Sequence, residues 1–254
     1  MREVIADKLY IYTFADNAAA LAREYGLGLE IAEFSTAFNM DTDFKSWDEK
    51  VRREANGISR LMFHAPFNEL CPAAIDPLIA EVTQKRYIQA YEIMHSYGIM
   101  SMVAHTGYIP FLYNEEWFVE KSMAFWREFL SGKPDGFCLY LENVLESTPD
   151  LLCEIVRKVA DTRLKLCLDI GHAATKGLHM TMDAWVTAMQ PFLGHVHLHN
   201  NYGKNDTHNA LGDGAIHVAD AICRITEAAP DATFTIESAY GRASVEWLIA
   251  NGFL

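Results

Sequence analysis

Several protein classes require features that this sequence lacks. No apolar run approaches the roughly 20 residues of a membrane-spanning helix, and the opening stretch, MREVIAD, lacks the apolar core of a secretory signal. We therefore expect a cytoplasmic protein that does not enter a membrane. Basic residues are outnumbered, because 21 Lys and Arg stand against 34 Asp and Glu, for a formal net charge of −13. Gripping nucleic acid normally needs a basic face, so the charge disfavours DNA, although metal-bound carboxylates would weaken this argument.

Cysteine is sparse and follows no motif. The five cysteines are odd in number and contain no C-x-x-C pair, which argues against a disulfide framework and a thiolate zinc site. They are Cys71, Cys138, Cys153, Cys167 and Cys223. The sequence also lacks a glycine-rich first turn, since residues 14–17 read FADN. A doubly wound dinucleotide-binding sheet is therefore disfavoured.

The sequence does contain a regular alternation of short apolar runs and longer amphipathic segments. The apolar runs predict eight strands, at Leu9–Phe14, Gly28–Phe34, Arg60–Phe67, Ile99–Gly107, Phe137–Val144, Leu164–Ile170, Gly194–Asn200 and Ala232–Ser238. The amphipathic segments predict eight helices, near Asn17–Tyr25, Phe44–Ala55, Pro77–Tyr97, Glu115–Leu130, Pro149–Ala160, Met182–Met189, Ala215–Ala228 and Ala243–Ala250. At 254 residues, close to the roughly 250 of a (β/α)₈ barrel, the chain is predicted to form one α/β TIM-barrel domain over residues 1–254.

Side chains that can bind a metal stand at the ends of six successive predicted strands. In strand order, they are His64, His105, Glu142, Asp169 with His172, the alternating His195, His197 and His199, and Glu237, while Asp206 and His208 lie in the loop after the seventh strand. In a barrel these ends converge on one face, where active sites form. Buried carboxylates and imidazoles repel one another or lack partners unless a cation lies among them. Mixed nitrogen and oxygen ligands favour zinc, manganese or iron.

Each of these residues alone has a plainer explanation. A lone strand-end histidine is more often structural than a ligand, Glu142 could accept bonds from backbone amides, and Asp169 could cap a helix. The recurrence at consecutive strand ends favours a metal site for the set. The remaining polar positions are expected to be structural, including His95, His179 and His217 and at least one of Glu30 and Glu33.

Short motifs around these residues resemble the xylose-isomerase-like TIM-barrel superfamily, and within it the endonuclease IV (AP endonuclease family 2) branch. The motifs are HAPF at 64–67, HTG at 105–107, LEN at 141–143, LDIGH at 168–172, HLHN at 197–200, DTH at 206–208 and IES at 236–238. The resemblance implies up to three divalent ions. His64 and His105 would hold one, Asp169, His197 and Glu237 a second with Glu142 bridging the two, and His172, Asp206 and His208 the third.

The chain departs from endonuclease IV in three places. HLHN replaces a motif like HLND, Phe67 stands where the branch carries a tyrosine, and residues 35–45 contain only one basic residue, Lys45. These changes leave the ligands intact but argue against DNA as the substrate. Candidate substrate-binding residues are Phe67, Asn68, Tyr108, His199 and Asn200.

Two reactions fit these residues, and they predict different metal contents. The first is phosphoester hydrolysis at three metals, in which Glu142 positions the attacking hydroxide. The alternative is isomerisation or epimerisation of a sugar or polyol at one metal, in which Glu142 and Glu237 relay a proton next to a carbonyl. The metal count favours the first, and a small phosphorylated or sugar-like substrate fits either. A metal-dependent binding protein without catalysis is a third alternative, and the oligomeric state stays open.

Overall fold

Eight parallel strands pair in chain order, and the eighth pairs with the first, so that the sheet closes into a barrel. The computed structural model describes residues 3–176 and 180–254, so His179 lies outside the described residues. The strands are β1 (Leu9–Tyr12), β2 (Gly28–Ile31), β3 (Leu61–His64), β4 (Ser101–His105), β5 (Cys138–Glu142), β6 (Leu164–Asp169), β7 (Leu193–Leu198) and β8 (Thr233–Ile236). The predicted (β/α)₈ barrel is confirmed.

The connections between the strands carry the helices. They are α1 (Ala18–Tyr25), α2 (Ala37–Asp41), α3 (Phe44–Ala55), α4 (Pro77–Ser96), α5 (Glu115–Leu130), α6 (Asp150–Val159), α7 (Ile170–Lys176), α8 (Met182–Met189), α9 (Val218–Ala228) and α10 (Gly241–Ala250). A 3₁₀ turn, Ala6–Lys8, precedes β1. No described helix is long and apolar enough to cross a membrane.

Two short helices were not predicted, and one of them moves a site residue. The sixth strand ends at Asp169, and α7 begins directly after it, so His172 lies on a helix and not at a strand end. The Asp169 side chain accepts a hydrogen bond from the backbone N–H of His172 at 2.6 Å, which satisfies a free donor at the start of α7. The predicted strands also extend too far. The third stops at His64 because Pro66, two residues later, has no N–H for the ladder.

Alternation along the strands separates two kinds of packing. Outward side chains such as Leu29, Phe63 and Leu141 belong to the large apolar core beneath the helices. Inside the barrel, Met62, Val103, Tyr140 and Cys167 form a separate buried cluster. Two residues further along the same four strands, on the same face, stand the last residues of those strands, His64, His105, Glu142 and Asp169.

A bulge adjusts the seventh strand to this arrangement. Leu166 pairs with Leu193 but Cys167 pairs with His195, so Gly194 is passed over. Glycine is required here, because a Cβ would lie 2.7 Å from the Tyr140 ring and 2.7 Å from the Lys165 side chain. Beyond the bulge, Asp169 pairs with His197. The irregularity therefore sets the register in which a carboxylate and an imidazole lie side by side.

Gly28 gives a direct test of packing inside the barrel. A Cβ on Gly28 would lie 2.3 Å from the Tyr10 ring, which is held among buried neighbours. We predict that Gly28→Ala lowers the free energy of unfolding by about 1–3 kcal/mol, measured from guanidinium denaturation. Gly136→Ala is the matched control, because its nearest neighbour, Met100, is 3.8 Å away, and we expect a change within about 0.5 kcal/mol. Equal midpoints for the two variants would contradict this packing.

Candidate metal centre

A cleft of about 450 Å³ opens at the carboxyl ends of the strands. Its described lining is aromatic, imidazole and carboxylate in character and contains no lysine or arginine. It comprises Tyr12, Phe14, His64, Phe67, His105, Glu142, Val144, His172, Asp206, His208, Glu237, Ser238 and Ala239. The strand-end residues predicted from the sequence therefore do converge on one face of the barrel.

Four of them form a compact buried group at the floor of the cleft. Glu142, Asp169, His197 and Glu237 each offer one ligand atom, and these atoms all lie within 4.8 Å of one another. Nδ1 of His197 is 3.1 Å from Glu237 Oε2 and 3.5 Å from Glu142 Oε2. All four residues are at most 8% exposed. We name this set the floor group.

Several polar atoms of the floor group lack hydrogen-bond partners. Both carboxylate oxygens of Glu142, Oε2 of Glu237 and Nδ1 of His197 are buried without a hydrogen bond of acceptable geometry, even where an imidazole lies within ion-pair distance. Buried carboxylate oxygens that converge without donors are unfavourable unless a cation lies among them. Three carboxylates and one imidazole fit a hard or borderline divalent ion such as zinc, manganese or iron.

A second group stands beside the first on β3 and β4. Nε2 of His64 and Nε2 of His105 lie 3.6 and 3.4 Å from Oε2 of Glu142. Nδ1 of His64 is 2.9 Å from the carbonyl oxygen of Ala65, which leaves Nε2 free to face the carboxylate. Phe67 stacks on the ring of His105 with centroids 4.4 Å apart. The geometry places Glu142 where it touches both groups.

The third group adjoins Asp169 and contains one residue more than predicted, His199. Its ligand atoms come from His172, His199, Asp206 and His208. Nε2 of His172 and Nε2 of His208 are both 3.0 Å from Asp206 Oδ2. His199, predicted to bind substrate, is fully buried, lies 3.0 Å from Asp169 Oδ1, and stacks on His208 at 3.8 Å. Its ring occupies the space above Gly171, where a Cβ would lie 1.8 Å away.

Electrostatics shows how these groups balance charge by themselves. Burial would raise the pKa of Glu142, but positive charge on His197 and His105 holds it well below its usual range. Burial would lower the pKa of His197, but Cys167, Glu237 and Glu30 raise it well above the ordinary value. Burial would likewise lower the pKa of His208, but its hydrogen bond to Asp206 raises that pKa to about 9. Protonated imidazoles thus supply positive charge among the carboxylates, and metal binding would displace those protons.

Two residues predicted to bind substrate, Asn200 and Tyr108, make structural contacts away from the cleft lining. The side-chain amide of Asn200 donates to the carbonyl oxygens of Leu211 and Ile216 at 2.9 and 3.2 Å, so it holds the loop after β7 together. Tyr108 packs its ring on Phe118 at 5.1 Å. Neither they nor the exposed Asn68 are among the described residues that line the cleft. Phe67 does line it.

Sequence reasoning missed Glu30 as a site residue. Because β2 ends in no ligand pattern, the sequence predicts only that at least one of Glu30 and Glu33 is structural. Glu30 is fully buried inside the barrel, and its Oε1 lies 3.2 Å from Nε2 of His197, on the far side of the ring from the floor group. The sequence did contain a sign of this role: Glu30 is a charged residue on the inward face of β2, two positions after Gly28.

Comparisons with known proteins agree with this architecture. A family described as xylose isomerase-like TIM barrel matches residues 15–250. An uncharacterized protein of Methanocaldococcus jannaschii is 29% identical over 195 residues, which cover 73% of this chain and 67% of that protein.

Solved structures align over almost the whole chain. A D-tagatose 3-epimerase-like protein is 24% identical with a TM-score of 0.76, covering 97% of this chain and 96% of its own. A Thermus thermophilus protein soaked with ZnCl₂ is 23% identical with a TM-score of 0.75, covering 96% and 97%. D-psicose 3-epimerase with D-tagatose, from Clostridium cellulolyticum, is 17% identical with a TM-score of 0.68, covering 90% and 83%. At these identities the likeness establishes the shared fold.

Asp169→Asn tests the floor group as a metal site. Asparagine keeps the oxygen that accepts from the N–H of His172 but removes one carboxylate charge. We predict that the zinc affinity of the purified protein falls at least about 100-fold, measured in competition with a chromophoric chelator. Loss of a residue that only supports a ligand already lowers metal affinity up to about 100-fold, so loss of a ligand should cost at least as much. His95→Ala, on α4 and stacked on Tyr91, should bind zinc like the wild type. Unchanged affinity in Asp169→Asn would contradict the assignment.

Proposed function

The chain belongs to the xylose isomerase-like TIM-barrel family, and we propose that it is a metal-dependent isomerase or epimerase of a small, uncharged polyhydroxy carbonyl compound. The floor group is the main support for this proposal, because carboxylate oxygens of Glu142 and Glu237 lie within 4.8 Å of each other beside Asp169 and His197. The family consists of enzymes, which favours catalysis over the binding protein considered above.

The two glutamates stand on different strands and approach the cleft from different sides. Glu142 ends β5, and Glu237 follows β8. Moving a proton at a carbon next to a carbonyl needs one group to take it and another to return it. In our proposal, one carboxylate removes the proton from one face of the carbon, and the other carboxylic acid delivers a proton to the opposite face or to the neighbouring carbon. A bound divalent ion would polarise the substrate oxygens and stabilise the negative charge that develops.

Charge at the site supports an uncharged substrate. The floor group contains three carboxylates, so one divalent ion leaves it with a net charge of −1 when His197 is neutral. None of the described cleft-lining residues is a lysine or arginine that could bind a phosphate. The aromatic rings of Tyr12, Phe14 and Phe67 offer apolar faces for the C–H edges of a sugar. Phosphorylated sugars would meet repulsion here.

The similar structures support the same chemistry. Those compared above include a D-tagatose 3-epimerase-like protein and a D-psicose 3-epimerase with D-tagatose. One of them was soaked with ZnCl₂, which favours zinc among the divalent ions. We therefore propose free ketoses of five or six carbons as the first compounds to test.

Phosphoester hydrolysis is the second candidate, and one observation favours it. All nine residues that the endonuclease IV resemblance implies lie in three adjoining groups, and Glu142 touches His64 and His105 as well as the floor group. Three divalent ions among Glu142, Asp169, Asp206 and Glu237 would leave a net charge of +2, which attracts phosphate. The metal content therefore decides the sign of the site's charge, and with it the substrate class.

Hydrogen exchange with solvent separates the two reactions. We predict that the zinc- or manganese-loaded enzyme incorporates deuterium from D₂O next to the carbonyl of at least one free ketopentose or ketohexose, followed by NMR. Glu142→Gln and Glu237→Gln should each slow this at least about 100-fold, because each removes a proton-transfer group. The phosphorylated ketose should react at least about tenfold more slowly, because an electrostatic repulsion of about 1.4 kcal/mol in the transition state is enough for a tenfold difference in rate.

His95→Ala is the control variant for this assay, because it lies outside the cleft. Hydrolysis of bis(4-nitrophenyl) phosphate, measured alongside, reports on the second candidate. Exchange in no free ketose, combined with phosphodiester cleavage that Glu142→Gln abolishes, would overturn the isomerase proposal and establish the other.

A further inference from the structure

Beneath the metal centre, the barrel interior holds a chain of buried polar groups that the proposed reaction does not use. It consists of Glu30 on β2, His195 on β7, and Thr233 and Thr235 on β8. Glu30, His195 and Thr235 are fully buried. Four polar side chains in a barrel core are costly unless they satisfy one another, so their contacts define what they can do.

The contacts run from one side of the barrel to His197. Thr233 Oγ1 lies 2.7 Å from Nδ1 of His195, and Nε2 of His195 lies 3.0 Å from Thr235 Oγ1. The Thr235 hydroxyl donates to Glu30 Oε2 at 2.5 Å. Glu30 Oε1 then lies 3.2 Å from Nε2 of His197. The chain of contacts ends on His197, whose other nitrogen faces Glu142 and Glu237.

One placement of hydrogens satisfies every member of this chain. The Thr233 hydroxyl donates to Nδ1 of His195, Nε2–H of His195 donates to Thr235, and the Thr235 hydroxyl donates to Glu30. Glu30, as a carboxylate, accepts at its remaining oxygen from Nε2–H of His197. Nδ1 of His197 then faces Glu142 and Glu237, where it is buried without a hydrogen-bond partner, and its lone pair becomes available when a metal ion displaces the proton there.

His197 differs in this respect from three other histidines of the site. Nδ1 of His64, of His172 and of His208 lies 2.8–2.9 Å from a backbone carbonyl oxygen, so each presents Nε2 to the carboxylates. His197 has the Glu30 carboxylate in place of a backbone carbonyl oxygen at its second nitrogen, so its ring is turned the other way and Nδ1 faces Glu142 and Glu237. A carboxylate behind a ligating imidazole fixes its tautomer and raises its basicity.

We propose that Glu30 is a positioning residue: held by Thr235 and His195, it fixes His197 in the Nε2–H tautomer and makes Nδ1 the metal-binding atom. This rests on the proposed function only through the metal site, and holds for either reaction. The wall of the barrel opposite the floor group thereby sets how strongly the metal is bound.

The chain offers a matched control for a substitution of Glu30. Glu33 is equally buried, three residues later, but it accepts from the Thr13 hydroxyl at 2.8 Å and from Lys50 at 2.9 Å, away from His197. Replacing either glutamate removes one buried negative charge from the same region. Only the Glu30 variants remove the partner of His197.

The test measures zinc affinity and the His197 tautomer. We expect Glu30→Ala to weaken zinc binding about 100-fold and Glu30→Gln about 10-fold, the range seen when such an outer contact is lost, because glutamine still accepts from Nε2–H without the charge. Thr235→Val should fall between Glu30→Gln and the wild type, and Glu33→Gln should bind zinc like the wild type. Nitrogen NMR of the histidines in the zinc-loaded protein should show His197 protonated at Nε2 and bound through Nδ1.

Two results would overturn the proposal. One is wild-type zinc affinity in folded Glu30→Gln and Thr235→Val, or a loss in Glu33→Gln as large as in Glu30→Gln. The other is zinc bound through Nε2 of His197. Since neither readout involves turnover, failure here is distinct from failure of the isomerase proposal, which the deuterium exchange assay decides.

Discussion

The structure buries several carboxylates at one end of a closed barrel, and the arrangement of the neighbouring side chains depends on balancing their negative charge. Glu142, Asp169 and Glu237 approach within 4.8 Å of one another and of His197, at most 8% exposed. Such a group is unfavourable without positive charge among it. By themselves, the histidines supply that charge as protonated rings, and a divalent ion would supply it more compactly. We infer that a divalent ion bound here would both relieve this repulsion and take part in the chemistry at this face.

Regular features of the barrel and one irregularity bring these residues together. Inward-facing positions recur every second residue, so the residues that follow the interior cluster of Met62, Val103, Tyr140 and Cys167 by two become His64, His105, Glu142 and Asp169. The seventh strand joins them through its bulge at Gly194. Three alternating histidines on this strand and just after it lie at three depths: His195 contacts Thr235, His197 contacts Glu237, and His199 contacts Asp169. The seventh strand and the residue that follows it thus connect the barrel interior, the floor group and the third group of ligand atoms.

Much of this was predictable because barrel topology converts sequence order into position. Side chains at consecutive strand ends had to meet, so the fold and the convergence of His64, Glu142 and Glu237 followed from the sequence. Other roles depend on contacts between distant segments. Glu30 and Glu33 look alike in sequence, and only the closure of β2 against the far wall shows that Glu30 contacts His197. Asn200 looked available for substrate until the loop after β7 supplied carbonyl oxygens for its amide. The choice between reactions was set by metal number, which spacing along a chain does not fix.

The central claim is that the floor group is the metal site at which the reaction takes place. Anomalous X-ray diffraction from crystals of the protein loaded with one equivalent of zinc tests it most directly. We predict a single strong peak bound by Glu142, Asp169, Glu237 and Nδ1 of His197, with little density beside His64 and His105 or beside Asp206 and His208. A peak at either of those other groups with the floor group empty would contradict it.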